Sequence, residues 1–164
     1  MAFFRLSKSG ECEIRICFND ACSPPVESAC NSSNGSLRWL PTSRLLYTGG
    51  GGSGISVASL FGREGEAVWS SVHVMSELSP SMRYLLVGSS STHQIFAEID
   101  QVVIVELSGG TTVGSVSVPT GADVHADWAG DAVKLTWAGG GRRVPLKGAG
   151  KLGADDDERR PFSR

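Results

Sequence analysis

Gln101–Leu107 (QVVIVEL), Ser108–Thr112 (SGGTT) and Val113–Val118 (VGSVSV) read as a strand, a turn and a strand. β-Branched residues suit the pleat, and glycine serves where the backbone must take positive φ. Around this hairpin the same grammar continues. Arg83–Gly88 (RYLLVG) is a compact apolar strand after the turn Ser79–Pro80–Ser81, and Ile95–Ile99 is a further one. Val124–Trp128 and Val133–Trp137 form a hairpin about Gly130–Asp131, and Val144–Leu146 is a last short strand.

Toward the N-terminus, Glu11–Phe18 (ECEIRICF) alternates, with Cys12, Ile14, Ile16 and Phe18 on one face. Ser36–Leu40 and Arg44–Thr48 are short strands flanking Pro41. Asn19–Gly35 and the glycine run Gly49–Gly54 are loops. Ala67–Ser76 alternates again, setting Val68, Val72 and Val74 opposite Trp69, His73 and Met75. At most one short helix is expected, near Ile55–Gly62. The fold class is therefore all-β: a mainly antiparallel sandwich, curled meander or barrel of about ten short strands. Trp39, Trp69, Trp128 and Trp137 are expected to fill the space between sheets.

Residues 1–147 are long enough to form a single β domain, and 148–164 form a charged tail ending ADDDERRPFSR. A formal charge of −2 sets up no field for nucleic acid or an anionic membrane. No apolar run reaches the roughly 18–20 residues of a membrane helix. The N-terminal residues carry no signal-peptide pattern, so a cytoplasmic location is expected. Cys12, Cys17, Cys22 and Cys30 contain no C-x-x-C pair. They are expected as unpaired structural thiols, with a disulfide or a metal site as alternatives.

Two constellations could carry chemistry. Asp123, His125 and Asp127 fall at period two, so on a strand they share one face, and His73 or His93 could complete a divalent-metal site. The competing reading is a polar, solvent-facing edge strand. Ser89–His93 (SSSTH) sets serines beside His93, without the wider pattern of a nucleophilic triad.

Arg44–Val68 (RLLYTGGGGSGISVASLFGREGEAV) resembles the nucleotide loop of short-chain dehydrogenases, with Thr48, Gly49, Gly54, Leu60, Phe61 and Gly65 at the matching positions. That resemblance implies a dinucleotide whose pyrophosphate is cradled at Gly49 and Gly54. It departs at Ser56, where the last glycine belongs, and no Tyr-x-x-x-Lys pair follows. Ser79–Pro80, Arg83–Gly88, Val102–Gly110, Trp128 and Val133–Trp137 resemble a β-propeller blade as found in small bacterial β domains. Met82 stands where such turns commonly carry glycine. No second copy is evident at a period of 40–50 residues.

The expected function is a non-catalytic binding or interaction module for a protein or small-molecule ligand, with self-association through strand edges as a further route. No cofactor is expected. A metal-dependent protein centred on His125 and Asp127 is the first alternative, and a nucleotide-binding protein using Gly49–Gly54 the second.

Overall fold

The computed structural model describes residues 1–6, 12–18, 21–26, 35–50, 56–73, 75–90, 98–130 and 132–146. Among these residues the chain is all β, without a helix, in four open antiparallel sheets. Each sheet is a meander in which every strand pairs with its neighbour in sequence, and none closes into a barrel. The first sheet holds β1 (Ala2–Leu6), β2 (Cys12–Phe18) and β3 (Ala21–Cys22). The second holds β4 (Ser36–Trp39), β5 (Leu45–Gly50), β6 (Ser56–Phe61) and β7 (Ala67–His73). The third holds β8 (Met75–Leu78), β9 (Tyr84–Ser89), β10 (Gln101–Glu106) and β11 (Thr111–Ser117). The fourth holds β12 (His125–Ala129), β13 (Ala132–Trp137) and β14 (Gly140–Pro145).

The sheets pack face to face in chain order. Ile14 and Ile16 of the first sheet, with Val26 bridged to Ile14, meet Leu45, Tyr47 and Phe61 of the second. The other face of the second sheet presents Leu46, Ala58 and Leu60 to Leu85 and Val87 of the third. Leu86, Val102, Ile104 and Val116 then pack against Val133, Leu135 and Val144 of the fourth. The two middle sheets are thus buried on both sides, which is why Tyr84–Ser89 (YLLVGS) is apolar without alternation. β12 faces solvent on one side and alternates exposed with half-buried residues.

The hairpin Gln101–Val118 forms as read, with its turn at residues 107–110 and a bulge between Ile104 and Val105. Gly110 takes φ +67, and a Cβ there would lie 2.7 Å from the Trp69 Cβ. Glycine therefore serves both the turn and its close seat on β7.

Several expectations are corrected. The helix near Ile55–Gly62 is replaced by β6, whose residues complete a ladder between β5 and β7. Gly49 and Gly50 extend β5 opposite Val57 and Ser56, so the glycine run begins inside a strand. The single strand Ala67–Ser76 is two, because the chain leaves the second sheet after His73 and enters the third at Met75. Val72 is 63% exposed while His73 is buried, whereas Val68 and Trp69 both pack against the core between the second and third sheets, beside the bulge at Leu60/Phe61. β1 and β3 were not anticipated. Cys17 and Cys22 are directly opposed on β2 and β3 and form a disulfide, and Cys12 is disulfide-bonded too. No cysteine among the described residues is a free thiol, contrary to the expectation of unpaired core thiols. The tail, Cys30, His93, Asp131 and residues 95–97 of the expected strand Ile95–Ile99 lie outside the described residues.

A repeated turn also emerges. Leu40–Pro41–Thr42–Ser43 and Ser79–Pro80–Ser81–Met82 join the first two strands of the second and third sheets. Ser43 N–H donates to Leu40 O and Met82 N–H to Ser79 O, and Ser43 and Met82 take φ +60 and +54. After this turn the third sheet carries one extra residue, which masks the likeness in a simple self-comparison. Registers beyond it coincide: Trp39 faces Leu45 as Leu78 faces Leu85, and Arg38 faces Leu46 as Glu77 faces Leu86.

Candidate functional site: a groove between the second and third sheets

Meander connectivity sends alternate connections to opposite ends of a sheet. In the second and third sheets, one end carries the tight turns after β4, β6, β8 and β10. These ends meet, since Arg44 Nε donates to Ser108 O at 3.4 Å. The other end carries the connection after β5, the long connection after β9, the passage from His73 to Met75, and the segment 118–124 that leads to β12. Gly121 N–H donates to Ile99 O and Val118 N–H to Asp100 O at this end, holding the entry to the fourth sheet against the third.

Near this end, the second and third sheets part to leave a cavity of about 170 Å³. Ser36 and Arg38 of β4, Thr48 of β5 and Ser76 of β8 supply its polar lining, over Leu46, Leu78 and Leu85. Ser36 opposes Thr48 and Arg38 opposes Leu46 across the β4–β5 ladder, so all four project from one face by strand alternation. Arg38 is exposed and makes no ion pair or hydrogen bond among the described residues. Three hydroxyls and a guanidinium above leucine side chains can hold an oxygen-rich, negatively charged group of small size.

The residues singled out from sequence do not assemble there. β12 begins at His125, so Asp123 precedes the strand and does not lie on it. His125 Nε2 and Asp123 Oδ2 are 3.5 Å apart, with side chains 74% and 91% exposed. Asp127 opposes Lys134 across the ladder, where a lysine ammonium competes with any cation for the carboxylate. Among the described residues, no three His, Cys, Asp or Glu side chains are grouped to hold a metal ion. His73 sits in the second sheet, two sheets away from His125. It is 2% exposed, and both ring nitrogens are buried without a hydrogen-bond partner. Burial pushes its pKa below 6.5, opposed in part by the Ser71 backbone.

Gly49 is a buried strand residue beside Tyr47, and Gly54 lies outside the described residues. Residues 56–61, where a dinucleotide loop would open a helix, form β6 instead. No protein-family model matches the chain, and no curated protein matches it either. No helix among the described residues is long and apolar enough to cross a membrane.

Ser36, Arg38 and Ser76 are not among the residues the sequence singles out, and Thr48 is named only as part of the nucleotide-loop resemblance. The alternation of Ser36, Leu37 and Arg38 was visible, but its polar members would ordinarily be assigned to solvent. Only the stacking of the third sheet over β4 turns that face into a groove wall.

Proposed function

We propose that this chain is a non-catalytic binding module, in which a rigid stack of β-sheets displays a small polar groove near its loop-bearing end. The supporting observation is the open cavity between the second and third sheets, lined by Ser36, Arg38, Thr48 and Ser76. Leu46, Thr48 and Leu85 stand on inner strands of sheets packed on both faces, while Ser36, Arg38 and Ser76 stand on the edge strands β4 and β8. A thermal-shift panel of small carboxylates, sugars and nucleotides tests this reading. A true ligand at about 100 times its Kd should add about 2.7 kcal/mol of stability. Conversion of that ligand, followed by proton NMR, would replace the binding reading with an enzymatic one.

The paired cysteines support a working environment that oxidises thiols, in place of the cytoplasmic location expected from the sequence. Two of them lie at opposed positions on β2 and β3, in the smallest sheet of the stack, where a covalent link compensates for a short ladder.

A further inference from the structure

We infer that the groove between the second and third sheets is a site for a small monocarboxylate, with Arg38 as its counter-ion. The inference rests on the binding-module reading and names the ligand class. The molecule supplies its own control, because the matching positions of the third sheet border its interface with the fourth. Ser36, Arg38 and Thr48 correspond in register to Met75, Glu77 and Gly88.

At the third–fourth interface this place is filled and closed. A Cβ on Gly88 would lie 2.5 Å from Met75 Cγ and 3.0 Å from Ile99 Cδ1, so those side chains occupy the space above it. Glu77 Oε1 accepts a hydrogen bond of 2.7 Å from Trp128 Nε1. At the second–third interface the methionine is replaced by Ser36, the glycine by Thr48 and the partnered carboxylate by the guanidinium of Arg38, which makes no ion pair among the described residues. The result is a cavity with hydroxyls and a cation where the sister interface has packing.

Charge and size then select the ligand. A guanidinium fork matches the two oxygens of a carboxylate, and neighbouring hydroxyls can satisfy the remaining lone pairs. The cavity of about 170 Å³ is comparable to the ~150 Å³ cavity that accommodates a benzene ring. Leu46 and Leu85 are almost fully buried beneath the hydroxyls, so the ligand meets chiefly polar groups, with Leu78 the main apolar contact. One guanidinium matches a single carboxylate, and the volume limits the rest of the ligand to about one ring or a chain of similar bulk.

The test is a ¹H–¹⁵N NMR titration of the intact protein with benzoate, benzyl alcohol and inorganic phosphate. Benzoate should move the Arg38 Nε–H and the Thr48 and Ser76 amides saturably, while benzyl alcohol at equal concentration leaves them in place. Arg38→Gln should weaken benzoate binding about tenfold or more, and Thr48→Val should weaken it less. Benzoate binding unchanged in Arg38→Gln overturns the assignment. So does a groove that responds to phosphate and not benzoate, or one silent to both. A silent groove accompanied by a stabilising ligand in the thermal-shift panel overturns this site alone and leaves the binding-module reading standing.

Discussion

Trp128 donates its indole Nε1–H to Glu77 Oε1 at 2.7 Å, tying the first strand of the fourth sheet to the first strand of the third. The bond joins residues 51 positions apart and is partly buried, so losing the carboxylate leaves an indole N–H that water reaches poorly. Glu77→Ala should cost about 1–3 kcal/mol, and Glu77→Gln, which keeps an acceptor, should cost less. Urea denaturation followed by tryptophan fluorescence checks this. The midpoint should fall while the m-value holds, as expected for a change in stability alone.

His73 should make stability depend on pH. Its folded-state pKa lies below the ordinary 6.5 because burial disfavours the imidazolium. Above about pH 6.5 both folded and unfolded chains hold it neutral, and its contribution is fully present. As pH falls through 6.5 toward the lowered folded value, the unfolded chain binds a proton that the folded chain does not. Stability is lost across that window, by about 1.4 kcal/mol for each unit of lowering. His73→Phe should flatten the dependence in thermal melts run between pH 8 and pH 5. A slope unchanged by the substitution would assign the pH response to other groups.

Reducing agent should loosen the N-terminal sheet first. The Cys17–Cys22 bond closes a short loop, with a sequence separation of 5, for which chain entropy gives about 2 kcal/mol. Intact-mass analysis after alkylation under non-reducing conditions should find no adduct on Cys17 or Cys22. The double variant Cys17→Ser/Cys22→Ser should speed amide exchange in β1 and β2 more than in β9 and β10, whose sheet is packed on both faces. Uniform acceleration would mean that the stack opens as one unit.

The all-β fold was legible because period-two alternation and glycine turns act locally, and Gln101–Val118 obeys both. Three features were not legible, each for a non-local reason. Residues 56–61 lack the period-two alternation of a strand because β6 (SVASLF) is covered on both faces by neighbouring sheets. Cys17 and Cys22 meet only because β3 folds back on β2, which spacing along one strand does not reveal. His73 and His125 share a residue type but lie two sheets apart, because the chain passes to the third sheet directly after His73. Asp123, His125 and Asp127 are exposed at or just before the edge strand of the fourth sheet, and β12 begins too late to align all three on it. The repeated Pro-containing turn escapes a fixed-period comparison because one extra residue follows Met82.

The second strands of the last three sheets carry a gradient that separates interior from end. Leu46 and Leu86 each face the following sheet, whereas Lys134 occupies the corresponding outward face of β13, between Asp127 and Arg143. Charged side chains on that face suit the end of a stack, where a polar surface must meet water. Leu86→Ala should therefore cost about 2–5 kcal/mol through a cavity between sheets. Lys134→Ala should change stability by less than about 0.5 kcal/mol. Paired urea melts of the two variants check the contrast. A large loss at Lys134 would mean that its face is packed against something, and the fourth sheet would then be an interior layer of a larger assembly.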